Sequence, residues 1–397
     1  MESTYKSKPE LFQVLVEEIE ETFGKRVSTS RDCIQLCEDI YFKTSFSINP
    51  NTLRRCFGLV KADYPPSSST LNILSRYCGF DSVEEILSLR KARANNNAGQ
   101  AKAIHDYIVA LFKTSTVKEP IDETFLGLVR QTVLFLQQYP ELIDKLQRSI
   151  ARTKNGQEYY FEQFVHIDKL NGHYGEGIRY YLNEKKTPEA QVFGHSILCL
   201  RAWLSNDGPS LRKHFAELVK TKPTKNFHPF VCGRYYASHL LFADYNGLDV
   251  ERILIDAHNA HAALRPTNDI YRLFPCFESV FAMALTITKH PQDALYYIDY
   301  AQNHYPGKHA SIDPGFYKSM QLLKAICLFM VGERQASEKL FLQIRPAQFY
   351  FLTKKINTIY YLILEAFLKK NSARTSEQLE EVVKQTGFVR FLQFNQF

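Results

Sequence analysis

The 397-residue sequence predicts an all-α protein, a small helical N-terminal domain followed by an array of helical hairpins. Apolar residues recur at helical spacing along most of the chain, and no long stretch alternates apolar and polar residues between Gly-rich turns. From about residue 157 an aromatic-rich helix, a short polar turn and a second amphipathic helix follow one another repeatedly. The turns are Asn171-Gly172, Asn206-Asp207-Gly208-Pro209, Asn246-Gly247, His290-Pro291, Gly332-Glu333 and Asn371-Ser372. The second helices start near Glu176, Ser210, Val250, Asp293, Gln335 and Ser376, roughly 33 to 43 residues apart, a period typical of stacked hairpins. Each hairpin buries its apolar face on its neighbours, so the array is expected to be an α-solenoid.

The N-terminal domain is placed at 1–90. Within it, Cys33-Ile34-Gln35-Leu36-Cys37 belongs to one helix and Asn49 to Phe57 to the next. Asn49 is a good N-cap, and Pro50 stands at the first helical position, where a missing N–H does no harm. Leu53, Cys56 and Phe57 fall on one face of that short helix, with Asn51, Arg54 and Arg55 on the other. A supporting helix runs from about Ser69 to Phe80, and Asp81 to Leu87 opens a capped helix. The polar stretch 91–102, centred on Ala-Asn-Asn-Asn-Ala-Gly, reads as a linker able to continue a helix in part. Connecting helices fill 103–155, marked by Ile104, Ile108, Leu111 and Phe112, then Phe125 to Leu136, then Leu142 to Ile150. The hairpin repeats occupy 156–397.

Composition excludes several classes. No apolar run is long enough for a transmembrane helix, and the first residues lack the apolar core of a secretion signal, so the expected location is the cytoplasm. The eight cysteines are scattered through apolar stretches and read as reduced, buried thiols. The net charge of +7 is mild, but no acid occurs between Asp39 and Asp63, while Lys43, Arg54, Arg55 and Lys61 do. That basic strip permits phosphate contact.

The segment from Leu36 to Phe80 resembles the lambda-repressor-like (Xre-type) helix-turn-helix domain. Leu36-Cys37 stands at that fold's Leu-Ala step, and Ile48 to Arg55 at its recognition helix, which Gly58 ends. Pro66 to Leu71 enters the next helix, and Tyr77-Cys78-Gly79-Phe80 closes it. The Thr-Leu-Arg-Arg-x-Phe-Gly and Thr-Leu-x-x-Leu-x-x-Tyr-x-Gly-Phe pieces look closer still to a domain at the N-terminus of uncharacterised Bacteroidetes proteins. The resemblance covers about a fifth of the chain. It implies Asn51 and Arg55 as base-edge readers, Arg54 and Thr52 as base or phosphate contacts, and Lys43 and Lys61 as flanking phosphate contacts. One departure stands out: the path from Leu36-Cys37 to Ile48 is several residues too long for the usual tight turn. Asp39 to Phe46 must therefore lengthen the first helix or widen the turn. The repeats resemble tetratricopeptide hairpins in architecture, without the specific signature of that family.

Other constellations read as structural. Cys33 and Cys37 are i,i+4 on a helix, whereas zinc knuckles place ligand pairs in turns, and Cys56 and Cys78 are isolated; no metal or cofactor is expected. His258 and His261 beside Asp256 lack a companion motif and suit a surface or interhelical role. No nucleophile elbow or phosphate-binding loop occurs, and Glu380-Glu381 lie on a charged helix, so no enzyme is expected. The aromatic pairs of the repeats suggest a groove. Adjacent residues on a helix point about 100° apart, so one of each pair enters the core while the other reaches a concave surface. Tyr160, Tyr181, Tyr236 and Tyr297, with Arg179, Arg234 and Lys318, would line a groove for a peptide or protein ligand.

The expectation from sequence is thus a cytoplasmic transcriptional regulator that binds double-stranded DNA as a homodimer, its repeats sensing a ligand or pairing two copies. The alternative is a non-catalytic protein–protein interaction scaffold.

Overall fold

The computed structural model describes residues 9–61, 66–117, 122–264, 276–305, 314–369 and 373–393. Side chains are described there except at 9–12, 87–98, 123, 314, 373 and 393. The only regular secondary structure among the described residues is helical, with no strand among them. The chain divides into two compact units, Met1–Ile104 and His105–Phe397.

The first unit contains α1 (Pro9–Phe23), α2 (Ser30–Thr44), α3 (Pro50–Cys56), α4 (Ser68–Tyr77) and the start of α5 (Val83–Thr114). Its core is built from Leu15 and Ile19 of α1, Cys33, Leu36 and Ile40 of α2, Leu53 and Cys56 of α3, and Leu71, Leu74 and Tyr77 of α4. α2 begins with a capping box: the Thr29 side chain accepts from Asp32 N, and the Asp32 carboxylate accepts from Thr29 N. Hydrogen bonds from the Lys25 ammonium and then Thr29 hold the Asp32 carboxyl below the usual carboxylate range. Removing the cap in Thr29→Ala is expected to cost about 1 kcal/mol, so amides of the first turn of α2 should exchange about fivefold faster. Unchanged exchange would show the box to be idle. Residues 91–102, read as a linker, are helical backbone within α5.

The second unit contains α6 (Glu123–Leu136), α7 (Pro140–Ile150), α8 (His173–Glu184), α9 (Pro188–Leu204), α10 (Gly208–Leu218), α11 (Pro229–Asn246), α12 (Glu251–Ala263), α13 (Cys276–Ile287), α14 (Pro291–His304), α15 (Pro314–Met330), α16 (Arg334–Phe341), α17 (Lys354–Lys369) and α18 (Ala373–Thr386). From α9 onward each odd-numbered helix packs against the even-numbered one that follows it. α9, α11, α13, α15 and α17 also pack in succession. The approach of α11 to α13 is close: a Cβ on Gly233 would stand 2.9 Å from the Phe277 carbonyl oxygen, so glycine is required there. The expected turns at 171–172, 206–209, 246–247, 290–291 and 332–333 fall between helices or at their ends. Asn371-Ser372 lies outside the described residues.

The first hairpin departs from expectation. Instead of a long aromatic helix, one wide π-type turn spans Gly156–Glu162 and one 3-10 turn Ile167–Lys169. Asn155 is buried and donates to the carbonyls of Phe112 (3.1 Å) and Ser115 (2.8 Å), fixing the chain against the end of α5. Phe125 and Tyr159 meet edge to face at 5.0 Å, as do Tyr160 and Phe161, and this aromatic cluster holds the short turn in place of a helix.

The far end of the array meets its beginning. The buried Asp168 carboxylate accepts from the backbone N–H of Lys355 (2.7 Å) and Ile356 (3.0 Å), satisfying the first amides of α17. Asn171 donates to the Thr386 carbonyl (3.0 Å). Phe391 packs against Trp203 of α9 and Tyr360 of α17, and Arg390 sits 4.3 Å above the Trp203 ring while donating to Asp244 of α11 (2.6 Å).

Candidate nucleic-acid interface

The short helix α3 forms as its caps dictate. The Asn49 side chain accepts from Asn51 N (2.8 Å), Pro50 occupies the first turn, and Gly58 takes φ +69°, the left-handed conformation that ends the helix. Leu53 and Cys56 are buried, and Phe57 packs partly against the same core. Asn51 and Arg55 are exposed, while Thr52 and Arg54 are half-buried. Arg54 is turned back along the helix, donating from Nη1 to Asn51 Oδ1 at 2.7 Å, with its Nε enclosed and unpartnered. It therefore positions Asn51 rather than reaching outward beside Arg55.

The long connection after Cys37 is taken up by lengthening the first helix. α2 runs on to Thr44, and Ser45 closes it with φ +61° and an N–H to the Tyr41 carbonyl. The added turn carries Asp39, which joins α2 to α4. The Tyr77 hydroxyl donates to Asp39 Oδ2, and Lys43 Nζ lies 3.1 Å from the same carboxylate and 4.9 Å above the Tyr77 ring. Burial pushes the Asp39 carboxyl up, but the Tyr77 and Lys43 hydrogen bonds outweigh it and hold the group below its ordinary range. Burial and the facing Asp39 push the Tyr77 phenol well up. Lys43 and Lys61 are both exposed. An apolar set not foreseen from the sequence is exposed on α2 and just after it: Ile34, Tyr41, Phe46 and above all Phe42, 87% exposed.

Cys33 and Cys56 are buried, Cys37 and Cys78 half-buried, and none of the four is in a disulfide. Burial raises the Cys33, Cys37 and Cys56 thiols, to about 11 for the last two, so they stay protonated at neutral pH.

The groove residues require correction. Tyr160, Tyr181, Arg234, Tyr236 and Tyr297 are all interior side chains. Tyr160 accepts from Gln147, and Tyr181 donates to Glu162, which also holds Lys185. Pairs do split between inside and outside, but Tyr180 and Tyr296 are the less buried members of theirs, while Tyr235 and Tyr236 are both buried between adjacent helices. Arg179 is exposed and paired with Glu176 at 3.0 Å; Lys318 is half-buried and donates to Gln321 at 3.1 Å. Of the other histidines, His258 is exposed on α12, and His261 is an interhelical group bonded to Glu278 of α13 at 2.7 Å. A cleft at α17 and α18, lined by Glu365, Lys369, Arg374, Thr375 and Gln378, holds none of the expected groove residues. No helix among the described residues is long and apolar enough to cross a membrane, and no group of three or more metal-ligating side chains occurs among them.

Compared with family models, curated proteins and solved structures, the chain matches none of them.

Proposed function

We propose that the protein is a DNA-binding transcriptional regulator, with α2 and α3 as its helix-turn-helix and the hairpin array as a tetratricopeptide-like α-solenoid that takes a ligand or pairs two copies. The observation that carries this reading is the outward face of α3. Asn51 and Arg55 are exposed on a short helix whose opposite face, Leu53 and Cys56, is anchored in the core. Arg and Asn match guanine and adenine edges bidentately, so that face carries the chemistry of major-groove reading. Lys43, Lys61 and the absence of acids between Asp39 and Asp63 supply a basic surround for phosphates. The Arg54 contact fixes the Asn51 rotamer, which lowers the entropy lost on binding.

One observation favours a second reading. Phe42, Tyr41 and Ile34 form an exposed apolar stripe on α2, which suits a protein-binding module in a scaffold. Selection of the full-length protein against a pool of random duplexes separates the two. The regulator reading expects enrichment of a sequence motif, as two half-sites about 10 base pairs apart if two copies bind together. An unenriched pool, with partner capture lost in Phe42→Ser, would favour the scaffold.

A further inference from the structure

The second unit contains a charged side chain that the fold alone does not balance. Arg234, on α11, is 2% exposed. Tyr174 of α8, Cys199 of α9 and Tyr360 of α17 are its electrostatic neighbours, and the Phe230 ring centre lies 5.7 Å from the guanidinium carbon. Neither an ion pair nor a hydrogen bond ties the guanidinium to another described residue, and its Nε is fully enclosed. The Tyr360 hydroxyl, also enclosed, has no hydrogen-bond partner among the described residues either. Tyr174 uses its proton on the Phe161 carbonyl (2.6 Å). Burial draws the Arg234 pKa down to about 10, so the group stays cationic at neutral pH. An uncompensated buried cation is among the most costly features a fold can carry. Methionine or leucine would fill the same volume without that cost. Two orphaned donors, one of them cationic, at the place where the two ends of the array meet, define a built site for negative charge.

We infer that Arg234 and the Tyr360 hydroxyl form an interior anion site, taking one compact anion such as a halide or the carboxylate of a small acid. Such an anion accepts from the guanidinium and from the phenol, and so joins α11 to α17. Because α17 is also held by Asp168 at the start of the array, occupancy tightens the closure of the whole unit. This deepens the ligand-binding half of the function proposed above and rests on it only for its regulatory meaning. The site itself stands or falls independently of DNA binding.

The test is thermal unfolding of the full-length protein at pH 7.5 and constant ionic strength, with gluconate replaced stepwise by chloride, acetate or phosphate. At one hundred times its Kd the bound anion multiplies the folded-to-unfolded ratio by about 100, so above the Kd Tm rises with the logarithm of anion concentration. Chloride and acetate distinguish a halide from a carboxylate site, and a response to phosphate alone would contradict the compact monoanion. Arg234→Met is expected to abolish the rise. Should Arg234→Met fail to fold, Tyr360→Phe removes one donor and nothing else, and is expected to shift the concentration at which the rise begins upward about tenfold, as one lost hydrogen bond to a charge implies. Identical Tm values in every anion, or an equal rise in Arg234→Met or Tyr360→Phe, would overturn the site and leave the guanidinium hydrated by water alone.

Discussion

Between pH 6.5 and pH 4 the unit His105–Phe397 is expected to lose most of its stability. Burial lowers the pKa of His166 to about 3 and those of His173, His214, His228 and His239 to about 4. In the unfolded chain each titrates near 6.5. Below that value the unfolded state therefore binds more protons than the folded one. The stabilisation is whole above about pH 6.5 and is lost as pH falls through the folded pKa values. The geometry agrees: His228 Nδ1 accepts from Phe230 N at 3.1 Å, which an imidazolium cannot do. His195 and His214 face each other Nδ1 to Nδ1 at 3.2 Å, and His166 stands 5.5 Å from His173, so protonating both members of either pair sets like charges together. Each group contributes about 1.4 kcal/mol per pH unit, and the five together, discounted by half for partial exposure, come to about 9 kcal/mol between pH 6.5 and pH 4, comparable with a net stability of about 5–15 kcal/mol. Asp168 opposes them, since burial raises its pKa to about 6 and its contribution is lost as pH rises rather than falls. It is one group against five. A melting temperature lower by about 10 °C or more at pH 5 than at pH 7.5 is expected. A flat profile over that range would show that these imidazoles are reached by water.

Loss of both α3 arginines is the second large effect. Arg54→Ala with Arg55→Ala is expected to reduce duplex affinity about a hundredfold, since one bidentate base contact contributes about 1–3 kcal/mol and the Asn51 rotamer is freed at the same time. The single variants should differ in kind. Arg55→Ala removes an exposed side chain and acts directly, whereas Arg54→Ala acts through the 2.7 Å contact to Asn51 and so relaxes base preference as well as weakening binding. Neither belongs to the core to which α3 contributes Leu53 and Cys56, so the fold of the unit should be kept. Affinity of the double variant within twofold of wild type would place the nucleic-acid contact elsewhere.

Local signals carried most of what the sequence revealed. Asn49, Pro50 and Gly58 bound α3 as their cap and turn chemistry requires. The starts expected near Ser210, Val250, Asp293 and Gln335 fall within two residues of α10, α12, α14 and α16, because Gly, Pro and Asn punctuate those turns. Long-range closure was not legible. Asp168 caps α17 from 187 residues away, and nothing in its neighbours along the chain signals that partner. Helix phase was misread for the same reason. A Tyr-Tyr pair fixes only that two rings diverge, and which one turns inward depends on helices on both sides. At Tyr235–Tyr236 both sides are covered and both rings are buried. On α3 the caps and spacing leave Asn51 and Arg55 exposed and Leu53 and Cys56 buried, while Arg54 is half-buried.

The most direct measurement is the affinity of the full-length protein for its selected duplex as salt is raised. With about four phosphate contacts, affinity should fall about a hundredfold from 50 to 200 mM salt, linearly on logarithmic axes, and unrelated duplex should bind more weakly at every concentration. No measurable binding at the lowest salt, or binding that ignores both salt and sequence, would contradict the assignment of α3 as a DNA reader.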